Sequence, residues 1–566
     1  MLIFRGINFM KGKSRTKKEK WWTRYTNPYS IMFHIAGIAA IIWFLVRVLP
    51  KPDRINYPCQ QVSLTTAFTY IAFWGIMFQA LAIWMRKAKR KTAKFAPVFL
   101  VFFVLMFSIS GAVIANMYSV EKEKPTIWYP TANDPMGEPQ GVNPGRVAWV
   151  WNPNATSKYL KGYWWNEGNQ DLDVIKNMYS IGLQGLTDES TDYEAWDALF
   201  KYFNNEHDFG EVGYQPGEKI AIKININNCW LEYSYWNEDN DRDASPEVVK
   251  ALLRQLIDVV GVAEEDITVY DASRKMYHWF YNRVYYESYP ALNPVPEFPN
   301  VHFEDARGTW EGRDKVEPSD VKIYFGDGLV RTLPTCVTEA KYLINMPLLK
   351  RHPINYGVTF SAKNLFGTFI ESVPEIHDYH ESGMIMGNPT PLIDLLSHEQ
   401  LGGKTLLYIG DGLFATKKDH KTIAKFKMEP FKNDWTNSLF FSQDPIAMDS
   451  VMYDFLYTEG TNPIEGAQNY MHQGAEPPEN TYDPEGDGVY LSESIGVHEH
   501  WDTNVDIWNS SRYSGQSGNG IDFVTFGKEH AKSRSRSSSQ VYSIRELIEK
   551  FDGRLLGRLF ESLRNN

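Results

Sequence analysis

The sequence predicts an α/β domain with a largely parallel sheet and flanking helices, preceded by three transmembrane helices. Three observations predict this. Three apolar runs of about membrane-crossing length crowd the first 120 residues. Beyond them, strand-like apolar runs alternate with helical patterns whose starts carry capping residues. The charge also splits at that boundary: residues 1–120 carry 17 Lys/Arg and 2 Asp/Glu, and the rest carries 41 and 67. The composition, 43% apolar and 22% charged over 566 residues, excludes a wholly disordered chain.

The apolar runs extend from Ile31 to Leu49, Leu64 to Met85 and Pro97 to Met117. A helix needs about 20 such residues to cross the hydrocarbon core. The leader, residues 1–30, carries eight Lys/Arg, and the loop after the second run carries six, from Arg86 to Lys94. The loop after the first run has only Lys51 and Arg54, with Asp53 beside them. The positive-inside rule therefore places leader and second loop in the cytoplasm and everything after the third run on the far side. The expected arrangement is a retained anchor (31–118) in the cytoplasmic membrane and a large extracytoplasmic, periplasmic domain. The expected partners are the lipid bilayer and membrane or envelope proteins. The acidic remainder argues against nucleic acid.

Residues 119–146 read as a Pro/Gly/Asn-rich linker and 147–530 as the α/β domain. A Ser/Arg linker (531–541) and an amphipathic C-terminal helix (542–564) follow. Candidate strands are Lys219–Asn225, Ile267–Asp271, Tyr342–Pro347, Thr405–Gly410 and Leu439–Ser442. Ser245-Pro246, Thr390-Pro391 and Asp444-Pro445 each place a capping residue before a proline, which suits the first turn of a helix. Gly261 is the expected stop of the first of these. Residues 456–530 show little periodicity and read as long ordered loops over the sheet ends.

Chemistry-bearing residues gather where strands end. Lys223, Asn225, Lys350 and Asn364 offer cations and amides to an anionic or carbonyl ligand. His352 is a candidate acid or base, Lys363 a buried amine that needs a counter-charge or a lowered pKa, and Asp411 an exposed carboxylate between two glycines. Asp411, Asp444 and Asp449, if they converge, form an oxygen site for a divalent cation. Asp444 is most simply an N-cap. His498 and His500 alternate and suit a transition metal. Asp239, Asp241 and Asp243 form an acidic loop that lacks the glycine and glutamate of a calcium loop and reads as solvated. Cys229 and Cys336 either pair on an oxidising far side or stay as thiols. With three cysteines and no Cys-x-x-Cys-His, no iron–sulfur cluster or c-type haem is expected on this chain alone.

In order, Pro216–Asn225, Ser245–Val249, Tyr342–His352, Lys363–Gly367, Gly410–Gly412 and Asp444–Asp449 resemble the family named domain of unknown function 362. The resemblance spans about 216–449. It implies an α/β fold and transfers no established reaction. Some family members carry a ferredoxin-like module, for which this sequence lacks cysteines. Two readings of function follow. One is a ligand-binding or accessory subunit of an envelope redox or transport assembly. The other is an enzyme acting on a small anionic substrate, with His352 as acid/base and metal assistance from the aspartates.

Overall fold

Five of the six side chains of the strand Arg146–Trp151 are buried, and they alternate between two apolar cores. Val147, Trp149 and Trp151 enter one core, Ala148 and Val150 the other. The same alternation runs through the neighbouring strands: Leu343 and Tyr408 face the first core, Tyr342, Ile344, Leu407 and Ile409 the second. Strands covered on both faces read as continuous apolar runs, which is why these segments are legible in the sequence.

In the computed structural model the described residues are 131–229, 234–352, 357–370, 376–461, 465–515 and 518–531, with 34, 37–39, 41 and 70 near the N-terminus. The chain divides into two units, Met1–Ile127 and Trp128–Asn566. In the first unit, His34 Nδ1 and the Tyr70 hydroxyl lie 3.2 Å apart. Gly37 leaves room for the Tyr70 ring, which a Cβ there would meet at 2.4 Å. Among the described residues no helix is long and apolar enough to cross a membrane. The three predicted spans, apart from these few positions, and the C-terminal helix lie outside the described residues.

The second unit holds one nine-stranded sheet. Its strands are β1 (Arg146–Trp151), β2 (Ile220–Lys223), β3 (Ile267–Asp271), β4 (His302–Asp305), β5 (Asp314–Lys315), β6 (Tyr342–Asn345), β7 (Thr405–Gly412), β8 (Ser438–Ser442) and β9 (Asp522–Phe526). The spatial order is β9-β1-β8-β7-β6-β2-β3-β4-β5. Every neighbouring pair is parallel except the two that involve β8, so β8 alone runs against the rest. The largely parallel α/β class expected from the sequence is the class found.

Helices cover both faces. They include α1 (Leu172–Thr187), α2 (Asp192–Glu206), α3 (Pro246–Arg254), α4 (His278–Tyr285), α5 (Ser361–Asn364), α6 (Pro391–Ser397), α7 (Pro445–Thr458) and α8 (Glu465–Ala475), with short helices also at Thr335–Thr338 and His377–Ser382. Buried residues of α1 to α4 join the second core, and those of α5 to α8 the first. Asp444 caps α7 as expected, accepting from the Ala447 N–H at 2.8 Å. Thr390 caps α6 through the Leu392 N–H. The Ser245 hydroxyl makes no cap bond to α3; its backbone N–H instead donates to Asp411 at 2.9 Å. α3 continues as a π-helical turn, Gln255–Val260, and Gly261 ends it at a φ of 84°, where a Cβ would be strained.

The sequence-based boundaries need several corrections. β1, β4, β5 and β9 are additional strands, and α8 and β9 occupy the stretch 456–530 that reads as loops. The second half of the expected linker belongs to the domain. Asn133 and Met136 N–H groups donate to the His500 and His498 carbonyls, each at 2.9 Å. The Gln140 N–H donates to Asp444 at 3.0 Å. Cys229 and Cys336 are free thiols, so the alternative of a bridge between them is not realised.

On α6, Asp394 is buried and accepts from the Tyr379 hydroxyl at 3.2 Å and the Gly326 N–H at 3.3 Å. Burial pushes its carboxyl up to about 8. Between the ordinary 3.8 and about 8, the folded domain keeps a proton that the unfolded chain has released. Stability therefore falls as pH rises through that window. Asp394→Asn is expected to flatten the decline in unfolding midpoint between pH 6 and 8. Thermal melts across that range, wild type beside variant, check it; parallel curves would contradict it.

Candidate functional site

β2 and β6 are neighbours, but the chain leaves them in opposite directions, to β3 on one side and β7 on the other. Such a switch point opens a crevice beyond the carboxyl ends of the strands. The register pairs Lys223, the last residue of β2, with Asn345, the last of β6, and with Tyr270 of β3. The residues that follow these strand ends build the crevice.

Lys223 is 1% exposed and its Nζ lies 2.9 Å from Asp271 Oδ2 at the end of β3. It also donates to the Ile224 carbonyl at 2.6 Å. Burial lowers its pKa and the Asp271 carboxylate opposes that shift. Gly367 packs directly over the pair: a Cβ there would lie 2.9 Å from both Asp271 Oδ2 and Lys223 Nζ. The glycine is required by this close approach and not by a turn.

Asn364, on α5, links the segments. Its Oδ1 accepts from Asn225 at 2.9 Å and from Lys223 at 3.4 Å. Its Nδ2 donates to Asn345 Oδ1 at 2.7 Å and to the Lys223 carbonyl at 3.3 Å. Asn225 in turn accepts from Lys350 Nζ at 3.1 Å. Lys350 also donates to the Arg242 carbonyl at 3.3 Å and faces Asp243 electrostatically. Burial drives the pair toward its neutral forms, lowering Lys350 and raising Asp243. The four residues Lys223, Asn225, Lys350 and Asn364 thus share one buried network.

Lys363 differs from the other cations. It is 7% exposed, its Nζ sits 3.2 Å from the centroid of the Phe366 ring, and no carboxylate pairs with it among the described residues. Burial holds its pKa well below the ordinary lysine value, and the Arg274 charge adds to the effect. His380 packs on the other contact of Phe366, with ring centroids 5.2 Å apart. His352 lies 6.3 Å from His380 and 6.2 Å from His420, ring to ring. Burial first, then the Lys350 and Lys421 charges, lower His420 to about 3, so it is neutral at physiological pH.

Asp411 faces away from this network. It pairs with Arg242 at 2.7 Å, both groups fully or nearly fully buried, and accepts from the Ser245 and Leu413 N–H groups. Its role here is to fasten the start of α3 to β7. The flanking glycines make room for Phe440, which a Cβ at Gly412 would meet at 2.9 Å. Asp449 accepts from the Ser361 and Ala362 N–H groups and the Tyr470 hydroxyl, fixing α5 to α7. Asp444 accepts from Ala447, Gln140 and Val497 N–H groups. Burial raises Asp449 to about 6 and Asp444 to about 7. Each aspartate is thus spent on its own set of donors, and the shared cation site expected from the sequence does not form.

His498 and His500 do point the same way. Both approach Gln468 Oε1 through Nε2, at 3.1 and 3.0 Å. His498 Nδ1 meets Ser450, and His500 Nδ1 meets Asp454 at 2.6 Å. An amide stands where a metal ion was expected. Among the described residues no group of three or more His, Cys, Asp or Glu side chains is arranged to hold a metal.

Sequence reasoning missed Asp271, Arg274, Arg242, Asp243, His380 and His420. Asp271 was visible as a carboxylate ending a strand. Arg242 and Asp243 correct the reading of a solvated acidic loop: both are 0% exposed. The signal overlooked was an arginine between acidic residues immediately before a helix start.

The fold is a largely parallel α/β domain with a buried polar network at its switch point. Residues 220–454 match the family model described as Domain of unknown function (DUF362). The match opens on the first residue of β2 and closes within α7, so it contains the whole crevice and excludes His498 and His500. No curated protein matches the chain.

The two lysines predict opposite stability effects. Lys223→Met strands the buried Asp271 carboxylate and is expected to cost about 3–5 kcal/mol. Lys363→Met removes an amine that has no carboxylate partner among the described residues and is expected to leave stability equal or higher. Denaturant midpoints of the two variants check this; a comparable loss in both would refute the assignment.

Proposed function

We propose that the chain is a membrane-anchored extracytoplasmic ligand-binding protein, serving as an accessory subunit of an envelope assembly, whose domain takes a small anion at the switch-point crevice. The observation that carries this is Lys363. Lys223 is matched by Asp271, Arg242 by Asp411, and Lys350 faces Asp243, whereas Lys363 is buried near Arg274 with no carboxylate partner among the described residues. A carboxylate or phosphate group would supply the missing charge and gain strength from desolvation. The three apolar runs and their flanking basic residues support the anchor and its orientation.

A second reading, an enzyme acting on a small anionic substrate, draws on the same residue. Burial and the neighbouring Arg274 charge lower the pKa of this amine, which favours its use as a nucleophile or base. His352, half-buried among two further histidines, is the acid/base partner this reading uses.

The anion reading predicts that phosphate or a small carboxylate raises the unfolding midpoint of the purified full-length chain in a concentration-dependent way. Lys363→Met is expected to abolish that rise while remaining folded. An equal rise in the variant would sink the reading. For the anchor, Cys59 lies in the first, extracytoplasmic loop of the expected topology, whereas Cys229 is buried. A membrane-impermeant maleimide is expected to label intact cells at Cys59 and to lose that label in Cys59→Ser. Labelling that appears only after lysis would invert the topology.

A further inference from the structure

A second concavity shares no residue with the crevice. It is a cavity of about 470 Å³, within the ~300–1,000 Å³ usual for small-ligand sites. One wall is a stack of aromatic rings. Tyr163 and Trp165 lie with centroids 5.0 Å apart at 9°, and Trp165 and Trp279 4.4 Å apart at 10°. Trp236, on the rim, is 56% exposed and rests on His278 at 3.8 Å. Trp310 meets it edge-on at 5.6 Å. A tryptophan held by these two rings yet left half in water presents a flat apolar face to whatever enters.

The polar lining restricts the occupant. Lys161 and Arg283 are balanced by Glu167 and Glu238, so the cavity favours neither an anion nor a cation by net charge. Arg283 is already held by Glu247 and the Tyr289 carbonyl. Polar groups of both kinds line it: the Lys161 ammonium donates, and the Glu167 and Glu238 carboxylates accept. A ligand group able both to accept and to donate therefore gains most here. A hydroxyl does both. A quaternary ammonium, the usual guest of an aromatic cage, does neither.

We infer that this cavity is a binding site for a neutral saccharide, with the C–H face of a sugar ring on Trp236 and the ring stack, and its hydroxyls on Lys161, Glu167 and Glu238. The inference is independent of the anion crevice.

The test is saturation-transfer NMR on the full-length chain in lipid nanodiscs, which avoids sugar-headed detergents. The probes are glucose, N-acetylglucosamine, cellobiose, maltose and diacetylchitobiose, with choline as the non-saccharide control. Transfer to ring C–H protons of at least one sugar is expected. Trp236→Ala is expected to weaken it about tenfold or more, equivalent to about 1.4 kcal/mol. Trp236→Tyr is expected to restore most of it, and Lys363→Met to leave it unchanged. Because Trp236 is exposed, the alanine variant removes a contact face and not a core support. Silence from every sugar, transfer to choline alone, or equal binding by Trp236→Ala would each overturn the inference.

Discussion

One side-chain amide, that of Asn364, joins the carboxyl ends of β2 and β6 to the loop that follows β2. Parallel strands that end side by side leave carbonyls, N–H groups and any polar side chain facing a dry crevice. Such groups are tolerated only when each finds a partner. Asn364 supplies two donors and an acceptor from a single short helix, and α5 is itself fixed by Asp449, which binds the N–H groups of Ser361 and Ala362. The Lys223–Asp271 pair, Asn225 and Lys350 are arranged around that amide. The crevice exists because this one side chain settles the polar debts of three segments at once.

Charge is distributed around the network with the same logic. Burial makes an isolated ion expensive, so carboxylate and cation are paired across strand ends, Lys223 with Asp271 and Arg242 with Asp411. Lys363 departs from the pattern, with an aromatic ring in place of an acid. Among the described residues no acid compensates it, so the pairing rule that holds for Lys223 and Arg242 is broken here. The aromatic cavity differs: the charges of its lining balance, and that lining holds both donors and acceptors.

Much of the architecture was legible because buried parallel strands are uniformly apolar and helix starts carry capping chemistry. β3 matches its expected span, and β2, β6, β7 and β8 differ by a residue or two at their ends. The strands that were missed had weak signals. β5 is two residues long, and β4 begins with an exposed histidine and carries two acids. β9 is partnered by β1 from the far end of the chain, a pairing that no local pattern encodes. Lys223, Asn225, Lys350 and Asn364 were legible as a group because polar residues that end apolar strands in an α/β sheet must meet at one edge. Asp271 and Arg242 were harder to see, since each matters only through a partner distant in sequence.

The sequence by itself determined the alternation of strands and capped helices, the charge divide at about residue 120, and the set of polar residues at the strand ends. Those are local properties, set by periodicity, capping and composition. Tertiary structure alone decided which of those residues share a site. It separated Asp411, Asp444 and Asp449 by giving each its own N–H donors, and it placed Gln468 between His498 and His500. It also set Lys363 against the Phe366 ring. Strand order is set by which apolar faces pack best across the whole domain, and only that order fixes which buried charges find each other.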